Sequence, residues 1–270
     1  MNSIRKAFHL AKIAWLVILA DKELLLYPIL SGLAILSLLS VSFFPMLLAE
    51  GFGNEGVSLL LLFMLYLAVT FIVQFFNAAL VSSALVRLNG GNPTLKTGFR
   101  QAWKRVGLIA KWSLIAATVG MLLNALRKRS GMFGSLFGGI LEIGWNLISF
   151  FVIPVLIVEG ISPMDALHRS KDMLKKTWGE QLSGSFGFGV LTFVLALPVG
   201  ILIILLMPLF GSSMIPFVIL VVYLFALVLF MTTMSGIYQA ALYLYAREGK
   251  ITGYFEEADI RDAFAPAQNR

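Results

Sequence analysis

The chain has 270 residues, of which 59% are hydrophobic and 13% charged, with a formal net charge of +7 and no cysteine. An ordinary soluble domain is about 25% charged, so a water-soluble globule is excluded for want of polar surface. The missing cysteine excludes a disulfide framework, a thiolate metal site and thiol catalysis.

Taken in chain order, residues 1–20 are amphipathic, and the first long apolar run begins only after Asp21-Lys22-Glu23. A removable signal peptide would place an apolar core directly after a basic start, so none is expected. A spanning helix needs about 20 apolar residues, because the hydrocarbon layer is about 30 Å thick and each residue rises about 1.5 Å. Leu24–Ala49 supplies a first span, Gly56–Val86 a second, and Val106–Leu126 a third in which Lys111 extends its ammonium to the interface. The fourth runs from Gly134 to Val158 and contains Glu142. Leu182–Ala246 holds 65 residues without an Asp, Glu, Lys or Arg. Pro208 and Gly211 mark a turn inside it, leaving a fifth span at Leu182–Leu206 and a sixth at Met214–Tyr245. With both termini in the cytoplasm, 18 of the 21 Lys and Arg residues fall inside and only Arg127-Lys128-Arg129 falls outside, as the positive-inside bias requires. The expected location is a prokaryotic cytoplasmic membrane.

Three segments repeat one pattern. Ile4, Phe8, Ala11 and Trp15 recur as Leu95, Phe99, Ala102 and Val106, and again as Pro163, Leu167, Ser170 and Leu174. Steps of four, three and four place each set on one helical face. The opposite faces carry Arg5, Lys6, His9 and Lys12; Lys96, Arg100 and Lys104; and Arg169, Asp172, Lys175 and Lys176. Asn92-Pro93 and Ser162-Pro163 read as helix starts, a polar cap before Pro at the first helical position. Each segment precedes two spans. The expected fold is an all-α integral membrane protein with six transmembrane helices, arranged as three parallel repeats of interfacial helix plus hairpin. The repeats cover 3–88, 93–159 and 163–246, followed by a cytoplasmic tail at 247–270. An even number of spans per repeat preserves orientation, so the copies are related by an axis along the membrane normal.

Asp165-Ala166-Leu167-His168-Arg169-Ser170, with Trp178 beyond, resembles the interfacial helices of the membrane domain of glycerophosphoryl diester phosphodiesterases. The opening from Phe8 through Trp15 to Asp21-Lys22-Glu23-Leu24-Leu25-Leu26-Tyr27-Pro28 resembles an uncharacterised family of bacterial and archaeal multi-pass membrane proteins. The resemblance implies a fold and a location. It does not imply phosphodiesterase activity, which belongs to a separate soluble domain.

Catalytic residues are scarce. His9 and His168 fall on polar faces, no His pair has metal-binding spacing, and neither Gly-x-Ser-x-Gly nor a Gly-rich phosphate loop with its Lys occurs. No Asp lies within a span, which excludes the paired-aspartate chemistry of intramembrane proteases. No enzyme activity, cofactor or metal site is expected. Glu142 is the one acidic residue within a span, and an ionisable group at that depth is a candidate functional residue. A helix starting at Gly134 places it about 12 Å down; a start near Gly139 leaves it at the outer interface. Arg127 ends the preceding span within reach of the same hairpin. Gln74, Asn77, Asn124 and Asn146 are the amides within spans, suited to helix–helix hydrogen bonds or to lining a cavity with Glu142 and Arg127. Lys12, Arg100, Lys104, Lys175 and Lys176, with Trp15, Trp103 and Trp178, form candidate contacts to anionic headgroups. The positive charge follows the membrane, so nucleic acid is not an expected partner.

Two functions remain open. One is the handling or transport of a lipid or small molecule in a cavity between the hairpins. The other is a non-catalytic scaffold binding a partner protein and anionic lipids, with Glu256, Glu257, Asp259 and Asp262 of the tail as a working surface.

Overall fold

The computed structural model describes residues 15–51, 55–129, 131–178, 196–198, 200–201 and 214–249, and every regular element among them is helical. Residues 15–20 are helical, and a 3-10 turn at Lys22–Leu25 follows, with the Asp21 carboxylate accepting from the Glu23 amide at 3.2 Å. Helix α1 is Leu26–Gly51, α2 is Glu55–Leu88, α3 is Leu95–Lys104 and α4 is Val106–Arg129. Helix α5 is Gly131–Ile148, α6 is Val152–Val158, α7 is Pro163–Trp178 and α8 is Ile215–Glu248.

Five stretches are long and apolar enough to cross a membrane: Lys22–Ser42, Gly56–Leu88, Val106–Arg127, Gly138–Val158 and Ile215–Glu248. They correspond to five of the six expected spans. The expected fifth, Leu182–Leu206, lies outside the described residues except for 196–198 and 200–201, which are helical. The outer faces of α2 and α8 expose Leu59, Leu60, Phe217, Val218, Val222 and Val228. Water does not tolerate so extended an apolar surface, whereas lipid matches it.

The fourth span is interrupted. It is not one helix, because the chain turns at Ser149–Phe151 and resumes as α6. Pro154 explains the break. Proline has no amide hydrogen to donate to the carbonyl four residues earlier, and its ring crowds that group. That carbonyl belongs to Phe150, and the Gln239 side-chain amide of α8 donates to it instead. The Phe151 amide in turn donates to Ser170 Oγ of α7 at 3.0 Å. Backbone groups freed in a bilayer need such partners, since no water replaces them.

Both described amphipathic helices, α3 and α7, bury the expected face. Ala102 and Ser170 are completely buried, while Lys96, Arg100 and Lys104 on α3, and Arg169, Asp172 and Lys175 on α7, are exposed. Helix α7 starts at Pro163 as expected, with Ser162 Oγ accepting from the Asp165 amide at 3.3 Å. Helix α3 corrects the other expected start. Its N-cap is Thr94 rather than Asn92, because Thr94 and Thr97 form a reciprocal capping box. Asn92 is engaged elsewhere, its side-chain oxygen accepting from Arg87 at 3.1 Å. The first segment of the expected repeat, except Trp15, lies outside the described residues.

The core gathers at one end of the bundle. Residues Ala78–Leu85 of α2, Val152–Leu156 of α6 and Gly236–Leu244 of α8 are buried together against Tyr27, α3 and α7. Small residues permit this closeness: a Cβ on Gly98 of α3 would lie 2.1 Å from Tyr27 Oη and 2.5 Å from Ser83 Oγ. Two cavities open between the helices beside this core.

Candidate functional site

Helix α2 places Tyr66, Thr70 and Gln74 on one face at steps of four. Helix α4 presents Gly120, Asn124 and Arg127 at steps of four and three, and α5 presents Glu142, Trp145 and Asn146. These three faces enclose a cleft of 580 Å³. Its geometry depends on how tightly α4 and α5 pair. Gly138 lies against Arg127, where a Cβ would come within 2.3 Å of Arg127 Cγ. One turn later Glu142 Oε2 accepts a hydrogen bond from Arg127 Nη1 at 2.7 Å. The side chains remain 48% and 45% exposed, so the pair is open to the cleft. Trp145 stacks on the completely buried Trp112 with ring centroids 5.6 Å apart, which fixes the cleft's inner wall.

Five of the six residues expected to line a cavity thus meet in one cleft: Gln74, Asn124, Arg127, Glu142 and Asn146. The sixth, Asn77, does not join them. Its side-chain nitrogen donates to Gln239 Oε1 at 3.5 Å and faces a different cavity, between α1, α2 and α8. The amides therefore divide by role. Asn77 ties two helices together, whereas Gln74, Asn124 and Asn146 have no side-chain hydrogen bond among the described residues. Sequence reasoning missed Tyr66 and Trp145. Helical spacing was the available signal, since Tyr66 lies two turns before Gln74 and Trp145 three residues after Glu142.

A half-exposed ion pair beside three amides and a tyrosine can bind polar groups of either charge. Arg127 can shift to an anion and Glu142 to a cation, while Leu62, Met121 and Trp145 supply apolar contact. Among the described residues no cluster of three or more His, Cys, Asp or Glu is placed to hold a metal. His168 is exposed on α7.

The candidate headgroup contacts are partly described. Arg100, Lys104 and Lys175 are exposed, and Trp103 is 68% exposed at the end of α3. Trp15 is also exposed but packs edge-on against Phe230 of α8 at 5.4 Å. Lys12 and the side chains of Lys176 and Trp178 lie outside the described residues.

Two charged clusters close the core end of the bundle. In the first, Arg87 pairs with Asp21 at 3.4 Å and donates to the Ala20 carbonyl at 2.9 Å, while Glu23 accepts from the first amide of α3 at 2.7 Å. A carboxylate at a helix N-terminus is favoured by its free amides and dipole. Burial raises the Asp21 carboxyl above its ordinary value, outweighing the opposing pull of Arg87. In the second cluster Glu159 pairs with Arg169 at 3.5 Å and accepts from Tyr243 Oη at 3.2 Å, and Arg247 donates to that same oxygen.

The chain belongs to DUF6159, a family of unknown function, whose model matches residues 56–254. The match contains every residue of the cleft. No curated protein and no solved structure matches the chain.

Proposed function

We propose that this DUF6159 member is a multi-pass protein of the cytoplasmic membrane that binds a lipid or small polar molecule in the cleft between α2, α4 and α5. The observation that carries the reading is the convergence of Gln74, Asn124, Arg127, Glu142 and Asn146 from three helices on one cleft, with the amides not spent on helix packing. The cleft binds rather than transforms its occupant. With both termini cytoplasmic, as the 18 inward Lys and Arg residues favour, the cleft faces the outer half of the bilayer. The chain is organised as three parallel copies of interfacial helix and hairpin, and the matching burial of Ala102 and Ser170 supports two of those copies. The exposed basic faces of α3 and α7 rest on anionic headgroups, each Lys or Arg contributing about 1 kcal/mol near such a surface.

The test is mass spectrometry of everything that co-purifies from the native membrane, compared with bulk membrane composition. One lipid or metabolite enriched to near stoichiometry, and lost in Glu142→Gln, is the expected result. Bulk lipids alone, in the same proportions for both proteins, would refute the reading. A stoichiometric partner protein retained by Glu142→Gln would favour a scaffold instead.

A further inference from the structure

A second cavity, of 670 Å³, lies between α1, α2 and α8, apart from the cleft. Its size falls within the range of about 300–1,000 Å³ typical of small-molecule sites. None of its 18 described lining residues is charged. Its polar groups are Tyr27, Ser31, Asn77, Thr232, Ser235 and Gln239. Tyr27 is held by Ser83 at 2.7 Å, and Gln239 by Asn77 and the Phe150 carbonyl. The hydroxyls of Ser31, Thr232 and Ser235 make no hydrogen bond among the described residues, although Ser31 is a buried residue. The Phe150 carbonyl, to which Gln239 donates, lines the same cavity and adds to its polar floor.

The cavity has a direction. Tyr27, Asn77 and Gln239 lie towards the end of the bundle that carries Arg87 and Arg247. Ile35 is eight residues deeper on α1, about 12 Å at 1.5 Å per residue. Val73 is four residues deeper on α2, and Phe225 fourteen residues deeper on α8, about 6 and 21 Å respectively. Val73, Phe225 and Val228 are exposed, so the deep end opens to lipid. On α1 and α8 the hydrogen-bonding groups of the cavity lie nearer the Arg87 and Arg247 end than Ile35 and Phe225 do, and on α2 Asn77 lies nearer it than Val73. Burying an ionised head among uncharged residues carries a large desolvation penalty. An uncharged head escapes it.

We propose that this cavity binds an uncharged, hydroxyl-bearing lipid, its head on the Asn77–Gln239 floor and its tail along Ile35, Val73 and Phe225. The inference shares the membrane placement proposed above but does not depend on the cleft. The test uses the full-length protein in phosphatidylcholine nanodiscs, with a diacylglycerol carrying a photoactivatable tail as probe. Crosslinks are expected within 31–35, 73–80 and 225–239. Unlabelled dioleoylglycerol should reduce them about fivefold or more, while dioleoylphosphatidylglycerol, with the same tails and a charged head, should not. Asn77→Leu should weaken labelling about fivefold, in line with the loss of one to two hydrogen bonds. Gly32→Leu fills the cavity without touching that floor, because its Cβ has ordinary room 3.7 Å from the Phe225 ring, and should abolish labelling. Glu142→Gln should leave labelling unchanged. Equal competition by the two lipids, crosslinks spread over lipid-facing positions such as Val222, or loss of labelling in Glu142→Gln would each overturn the proposal. If either cavity variant fails to fold, the competition on the unaltered protein decides alone.

Discussion

Replacing Gln239 with Leu removes the donor that α8 supplies to the Phe150 carbonyl at the Pro154 break. It also removes the acceptor for Asn77. Removing a donor from a partly buried carbonyl costs about 1–3 kcal/mol, and an interhelical bond in a membrane is worth about 0.6 kcal/mol on average. The expected destabilisation is therefore about 2–4 kcal/mol. For a chain of this size that lowers a thermal midpoint by roughly 4–16 °C. Asn77→Ala loses only the weaker bond and should cost less than about 1 kcal/mol. The decisive variant is Gln239→Leu combined with Pro154→Ala. Alanine has the amide hydrogen that proline lacks, so the helix can close onto Phe150 O and recover at least half of the loss. Thermal unfolding in detergent, followed by tryptophan fluorescence across the four-protein cycle, reads the coupling. A Gln239→Leu no more harmful than Asn77→Ala would refute the reasoning, as would additive effects with no rescue.

Three further outcomes follow from the same geometry. Glu142→Gln should change stability by less than about 1 kcal/mol, because the ion pair is half exposed; a large drop in the thermal midpoint would make it structural. Gly98→Ala forces a Cβ into Tyr27 and Ser83 and should cost about 1–3 kcal/mol. Gly107→Ala, with nothing within 4 Å of the added carbon, should gain about 0.5–1 kcal/mol from helix propensity, and thermal unfolding of the pair compares them directly. Asp21 binds its proton more tightly folded than unfolded, because burial raises its carboxyl above 3.8. Its contribution is thus fully present below the unfolded value and lost as pH rises through the folded one. A melting series from about pH 3 to 6 should show that downward slope reduced in Asp21→Asn; an unchanged slope would contradict the assignment.

Much of the fold was legible because lipid imposes simple rules. Uninterrupted apolar runs marked four helices within a few residues of their ends and a fifth span that breaks at Ser149–Phe151, and the four-three-four spacing identified the buried faces of α3 and α7. What escaped depended on partners far apart in sequence. The break at Ser149–Phe151 could be suspected from Pro154, but its repair by Gln239 joins residues 89 positions apart. Asn92-Pro93 looked like a helix start because the local rule ignores Arg87, which claims the Asn92 side chain from the preceding helix. Ser170, a hydroxyl in an otherwise buried face, accepts from the Phe151 amide 19 positions away. In the cleft, composition nominated the charged and amide residues, but no periodicity could separate Asn77 from Gln74, three residues away and on the same helix. Tyr66 and Trp145 were overlooked because aromatics in spans are ordinary, and only the neighbouring helices make these two walls of a cleft.

The central claim is that the cleft is an accessible binding site rather than packed interior. The chain has no cysteine, so Asn146→Cys introduces a single thiol in the cleft, and Val222→Cys on the lipid-facing side of α8 serves as its control. Labelling of each by a charged thiol reagent is timed in delipidated protein, with and without a total lipid and metabolite extract of the native membrane. The account predicts rapid labelling at position 146 that the extract slows severalfold, with position 222 indifferent to the extract. Position 146 inert in the delipidated protein, or equally reactive with and without the extract, would contradict it.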